Sequence, residues 1–259
     1  MTNNGLDNLD ALFQSARDDG LTNDTLDLVV SNLNGPTMIT PVGVSLDNLA
    51  TNEVTLAMNI IDMSGSMHPY ANDLIRAYND DYLAAMGQST AADDILVSTI
   101  LFDDQVQLLH GYLNLADVPP LDRRAYHPSG STALYDAVAN GLTNMVLYAQ
   151  QLRRAGVMVR CIVIVYSDGD DNASKQSAAD VRRAVRDLLK HEIYTLAYVG
   201  FCSGGLSQKD LRKLADTIGF TEILLAGLSH SELRRIFHLA SMSTVRVSQQ
   251  QGAPAGVFI

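Results

Sequence analysis

From Val157 to Tyr166 the chain reads Val-Met-Val-Arg-Cys-Ile-Val-Ile-Val-Tyr, a β-branched run without apolar–polar alternation. A strand with one wet face alternates. A run of this kind is covered on both faces, which places it in the middle of a parallel sheet with helices above and below. The flanking sequence has the same logic. Val54–Ile61, Ile95–Phe102, Ile193–Val199 and Phe220–Ala226 read as strands, and Val106–His110 forms a hairpin with Ile95–Phe102 around Asp103-Asp104. Tyr70–Met86, Ala133–Ala155, Ala178–His191, Ser207–Ile218 and Ser229–Met242 read as helices, with Gly156 as the stop of the longest. This alternation predicts an α/β fold, a doubly wound and mostly parallel sheet with helices on both faces.

The expected organisation is a helical extension over residues 1–50, one domain over 51–246 and an irregular tail over 247–259. In the extension, Leu6, Leu9, Leu12 and Phe13 share a helical face. Leu26, Val29, Val30 and Leu33 recur at the same spacing behind the cap candidates Thr22 and Asn23, and Gly35-Pro36 stops that pattern. Helices this short dock on the domain or on a partner, because they are marginal alone. The tail ends in Val257-Phe258-Ile259, an apolar end suited to docking on a neighbouring copy, so a homo-oligomer is an expected assembly.

Charge and composition exclude several classes. The formal net charge of −11 disfavours nucleic acid and anionic lipid, whose phosphates demand Lys and Arg. No window holds about 18 uninterrupted apolar residues, so no membrane span is expected. Met1–Asp10 lacks the basic start of a secretory signal. Cys161 and Cys202 are the only cysteines, too few for a disulfide framework, and the expected location is the cytoplasm. The arginine pairs Arg153-Arg154, Arg182-Arg183 and Arg234-Arg235 read as solvated helix faces.

Three loops carry the chemistry. Asp62-Met63-Ser64-Gly65-Ser66 follows the first strand, Thr132 opens the long helix, and Asp168 follows the Val157–Tyr166 strand. In a doubly wound sheet, ligands bind beyond the carboxyl ends of the strands, where the strand order reverses. Asp62, Ser64, Ser66, Thr132 and Asp168 offer only hard oxygen, the donor set for Mg²⁺ (or Mn²⁺ or Ca²⁺) rather than zinc.

Asp62-x-Ser64-x-Ser66, Thr132 within Gly-Ser-Thr-Ala-Leu-Tyr-Asp-Ala, and Asp168 within Ser-Asp-Gly together resemble the metal-ion-dependent adhesion site (MIDAS) of von Willebrand factor A (VWA) domains. The resemblance covers roughly residues 52–226 and includes Leu101-Phe102-Asp103, similar to the family's second strand. It implies a Rossmann-like fold, with Ser64, Ser66 and Thr132 on the ion directly and Asp62 and Asp168 directly or through water. It implies a binding protein rather than an enzyme, whose partner brings an Asp or Glu carboxylate to the metal. Intracellular members of the family act as scaffolds or adaptors, with AAA+ ATPases, kinases or phosphatases of stress and defence systems as partners. Asp170 and Asp171 beside the site either quench the ion's electrophilicity or face solvent.

Two enzyme readings compete. A haloacid dehalogenase-type phosphotransferase needs an aspartate two residues after its nucleophile, where this chain has Ser64. Gly200-Phe201-Cys202-Ser203-Gly204-Gly205 resembles the nucleophile elbow of α/β hydrolases in its cysteine form, with Asp210 or Asp216 and His230 or His238 as partners. A third reading is a self-assembling structural subunit whose ion only stiffens the loops.

Overall fold

A computed structural model describes residues 4–33, 43–49, 51–169, 171–203 and 205–249, with side chains from residue 9. Six strands form one sheet: β1 Glu53–Asp62, β2 Ile95–Phe102, β3 Val106–Asn114, β4 Met158–Ser167, β5 Tyr194–Cys202 and β6 Glu222–Gly227. Their order is β3-β2-β1-β4-β5-β6, with only β3 antiparallel. The chain leaves β1 for β2 on one side and returns to β4 on the other, so the strand order reverses between β1 and β4.

The predicted two-sided burial holds. Leu56, Met58 and Ile60 of β1 and Cys161, Val163 and Val165 of β4 belong to one core. Ala57 and Ile61 with Ile162, Ile164 and Tyr166 belong to the other. The first core is closed by α1 Asn4–Asp18, α2 Asn23–Leu33, α5 Leu134–Arg154, α6 Ala178–Leu188 and α7 Gln208–Thr217. The second is closed by α3 Ala71–Arg76, α4 Ala84–Gly87 and α8 His230–Gln249.

Three elements differ from expectation. The segment expected as one helix over Tyr70–Met86 is instead α3, a π-helical turn over Ala77–Leu83 and α4, after a 3-10 segment at Gly65–Tyr70. The π-helical turn sends Tyr78 and Tyr82 inward onto Phe237, at ring distances of 6.1 and 6.4 Å. Helix α8 runs beyond Met242 to Gln249. Its Ser243 and Thr244 hydroxyls donate to the carbonyls of Leu239 and Ala240 at 2.8 and 2.9 Å, so these poor helix formers are satisfied within the helix. Strand β3 continues past His110 to Asn114, through a register irregularity opposite Val97–Ile100.

The helices α1 and α2 dock on the domain. Leu12, Ala16, Leu21, Leu26, Leu28 and Val29 are buried in the same core as α5. Arg153 grips Asp19 at 2.8 and 2.9 Å, and Ser15 donates to Gln150 at 2.8 Å. The fully buried Asp187 of α6 accepts from the Thr22 backbone and the Thr25 hydroxyl at 2.9 and 2.8 Å. Covered by the sheet on one side and by α1 and α2 on the other, α5 is buried nearly all round, including Asn140, Thr143, Asn144 and Gln150. Other members of the arginine pairs also bridge elements: Arg183 reaches Asp24, Arg182 reaches Asp216 and Arg234 reaches Asp81. Gly156 ends α5 at φ +85°, with Val157 N–H returning to the Leu152 carbonyl, as its position in the sequence predicts. A short segment at Gly43 bridges Tyr112 on the outer edge of β3, and Val44 N–H donates to the Tyr112 carbonyl at 2.9 Å. The proposed helix stop at Gly35-Pro36 and the tail beyond Gln249 lie outside the described residues.

Candidate metal centre

Asp62 is the last residue of β1 and Ser167 the last of β4, the strands that flank the switch point. Both side chains are fully buried, and Ser167 Oγ donates to Asp62 Oδ2 at 2.6 Å. Asp62 Oδ1 accepts from the Ser64 backbone at 2.8 Å, which folds the 62–66 loop back over its own strand end. Ser64 and Ser66 then stand with their hydroxyl oxygens 3.1 Å apart, and Ser66 Oγ donates to Asp168 Oδ1 at 2.8 Å. Asp168 is 2% exposed, and its Oδ2 has no hydrogen-bond partner among the described residues. A buried carboxylate oxygen without a donor is costly.

Thr132 reaches this crevice on a braced loop. Tyr126 Oη donates to the Asp62 carbonyl at 2.7 Å, Ser129 N–H to the Met63 carbonyl at 2.9 Å, and Gly65 N–H to the Gly130 carbonyl at 3.2 Å. Gly130, at φ +68°, turns the chain where a Cβ would lie 2.6 Å from an Asp104 oxygen. Beyond it, Ala133 N–H bonds the Asp103 carbonyl at 2.7 Å, and Asn172 Oδ1 accepts from Thr132 N–H at 2.8 Å. Thr132 Oγ1 faces the loop after Asp168, 3.5 Å from the place a Cβ on Gly169 would take. The loops that carry the five residues singled out in the sequence therefore meet beyond the carboxyl ends of β1 and β4, with Asp62, Ser64, Thr132 and Asp168 buried and Ser66 exposed.

Burial pushes the Asp62 carboxyl up to about 6, against hydrogen bonds from Ser167 and Ser64 that favour its charged form, and the nearby Asp168 charge pushes the same way as burial. The crevice thus holds two carboxylates that repel each other at neutral pH. Asp171 turns away: half-buried, it accepts from Tyr135 N–H at the start of α5 and from the Ser174 hydroxyl. Asp170 lies outside the described residues. Among the described residues no group of three or more His, Cys, Asp or Glu side chains converges, so the oxygen crevice is not a zinc-type cluster.

Sequence reasoning did not single out Ser167, Tyr126, Asp103 or Asn172, which hold the site from outside. Ser167 carried a local signal, its place in Ser-Asp-Gly, and Asp103 another, its place in Leu101-Phe102-Asp103. Tyr126 and Asn172 act through folded contacts that spacing does not show.

The elbow residues are engaged elsewhere. Cys202 ends β5 half-buried, and neither His230 nor His238 hydrogen-bonds it. Asp210 accepts from Ser207 at the start of α7, Asp216 pairs with Arg186, and His230 pairs with Asp73.

No family model matches the sequence, and no curated protein matches it. Solved structures match in fold. A von Willebrand factor type A protein from Catenulispora acidiphila aligns over 74% of this chain and 43% of its own, at 18% identity and a TM-score of 0.51. The pilus adhesin SpaC from Lactobacillus rhamnosus GG aligns over 76% of this chain and 30% of its own, at 11% identity and a TM-score of 0.55. The PilB minor pilin from Streptococcus sanguinis aligns over 76% and 62%, at 14% identity and a TM-score of 0.51. This chain spans less than two thirds of each of them. At such identities the likeness is one of fold alone, a Rossmann-like α/β domain. Among the described residues no helix is long and apolar enough to cross a membrane.

Proposed function

We propose that this chain is a protein-interaction module whose binding surface includes one divalent cation, held by Asp62, Ser64, Ser66, Thr132 and Asp168. The observation that carries this reading is the buried Oδ2 of Asp168, unpartnered among the described residues. Hard oxygen donors fit Mg²⁺ or Mn²⁺, with Ca²⁺ a looser fit. The bound ion supplies a Lewis-acidic point for an anion. The chain's residues orient it, keep part of its shell neutral through hydroxyl oxygens, and leave it open to an Asp or Glu carboxylate of a protein partner. The acidic surface and the buried, unpaired Cys161 support an intracellular adaptor in a multi-protein complex, with an AAA+ ATPase as one class of partner and self-assembly as another.

Calorimetric titration of metal-free protein with Mn²⁺ should give a one-site isotherm. Proteins captured from a lysate in Mg²⁺ should be released by EDTA. A partner retained in EDTA assigns the ion a purely structural role, and no Mn²⁺ isotherm overturns the reading. The affinity should also depend on pH. Protons compete with the cation for Asp62, so Mn²⁺ binding should weaken by up to about tenfold per pH unit below 6 and stay nearly level above 7. Metal-free stability should move the other way. A carboxyl whose folded pKa is raised takes up its proton in the folded state first, so its contribution to stability grows as pH falls through about 6. Affinity that is level from pH 5 to 8 would contradict the assignment of Asp62.

A further inference from the structure

We infer that Asn79, presented by the π-helical turn, is a positioning residue for the metal centre: its side-chain amide sets the loop that delivers Thr132. This rests on the metal-binding reading above. Asn79 Nδ2 donates to the Leu121 carbonyl at 2.9 Å, and Leu121 N–H donates to Asn79 Oδ1 at 2.8 Å. One side chain thereby satisfies both backbone groups of a residue 42 positions away, as a neighbouring strand would.

The π-helical turn makes this pairing firm. Tyr78 and Tyr82 on either side of Asn79 are buried against Phe237, and Tyr78 Oη shares a hydrogen with Thr99 Oγ1 at 2.7 Å. The rotation of the turn is therefore fixed by the core, and Asn79 faces the loop. A cavity of about 380 Å³ lined by Asn79, Leu83, Leu115, Val118 and Pro120 lies beside this pairing. The amide pair is the polar attachment of this end, beside Leu115 and Leu121, which are buried in the second core.

From Leu121 the constraint passes along a stiff path. Asp122 Oδ1 accepts from the Arg124 and Ala125 backbones at 2.9 Å each, which closes a tight turn. Tyr126 follows, fully buried and bonded to the Asp62 carbonyl, and then Ser129, bonded to Met63. Asn79 fixes the near end of the loop whose far end carries Thr132.

The test compares Asn79→Ala, Asn79→Asp and the remote control Asn32→Ala, which removes a buried contact between α2 and Asn140 of α5. Hydrogen exchange on metal-free protein is the first measurement. Asn79→Ala should accelerate exchange at the Ser129 and Gly65 amides by about tenfold or more, while Asn32→Ala leaves them protected. Asn79→Asp keeps the acceptor for Leu121 N–H and should fall between. Mn²⁺ titration is the second, and Asn79→Ala should weaken binding about tenfold, in the range for groups that orient ligands from behind. Unchanged Ser129 and Gly65 protection in Asn79→Ala overturns the inference, as does acceleration matched by Asn32→Ala. If wild-type protein binds no Mn²⁺, the metal reading fails by itself, and the exchange data still decide what Asn79 does.

Discussion

Replacing Asp168 with alanine should abolish the Mn²⁺ response while leaving the fold at least as stable. Asp168 supplies one of the two carboxylates in the crevice, and its loss should weaken the ion's binding by more than the roughly 10–100-fold typical of residues that only orient ligands. Its structural contribution is small. Among the described residues Oδ1 accepts one hydrogen bond, from the exposed Ser66, and Oδ2 accepts none. Removing it also relieves the repulsion that helps raise Asp62. Asp62→Asn should go further. The neutral amide keeps an acceptor for Ser64 N–H and escapes a shift of about two pH units, which at about 1.4 kcal/mol per unit is on the order of 2–3 kcal/mol of relief at neutral pH. Thermal unfolding with and without Mn²⁺ measures both quantities. Each variant should show a metal-free Tm equal to or above wild type, and no rise on adding Mn²⁺. A variant that loses stability yet keeps its Mn²⁺ shift would show that these carboxylates hold the fold rather than an ion.

Deleting residues 1–33 should leave a chain that no longer unfolds cooperatively. Leu12, Leu21, Leu26, Leu28 and Val29 are all buried against the domain. Each large side chain of this kind contributes about 1.5–3 kcal/mol by burial. Their removal would also expose the outer side of α5 and take Thr22 and Thr25 from Asp187, Ser15 and Asp19 from Gln150, and Asp19 from Arg153. A domain whose whole stability is typically about 5–15 kcal/mol does not absorb a loss of that order. The milder variant Asp187→Ala isolates one anchor. It orphans Thr22 N–H and the Thr25 hydroxyl, and at about 1.5–3 kcal/mol for a hydrogen bond to a charged group it should cost roughly 3 kcal/mol in urea unfolding with an unchanged m-value. If residues 34–259 alone unfold at the wild-type midpoint, α1 and α2 are an appendage.

The sequence carried the sheet because its signals are local. A β-branched run such as Val157–Tyr166 states its two-sided burial within ten residues. The candidate ligands were legible for a related reason: Asp62 and Asp168 directly follow strand cores, and topology does the rest. Less legible was anything decided by a neighbour distant in sequence. Asn140, Thr143 and Asn144 look like a solvent face of α5 until α1 and α2 are seen to cover them. The Tyr70–Met86 pattern looks like one regular helix, because the register of Tyr78 and Tyr82 against Phe237 is fixed from α8, more than 150 positions on. Asn79 carries no signal at all in sequence, since its partner is a backbone.

The bridge between Gly43 and Tyr112 has a consequence for how copies of this chain can polymerise. A sheet grows by hydrogen-bonding at its unpaired margins. Among the described residues the β3 margin already carries a short length of the chain's own backbone and the β6 margin carries none, so β6 is the more open of the two. Growth by strand addition from one margin alone joins two copies back to back and then stops, which favours a closed pair over a fibre.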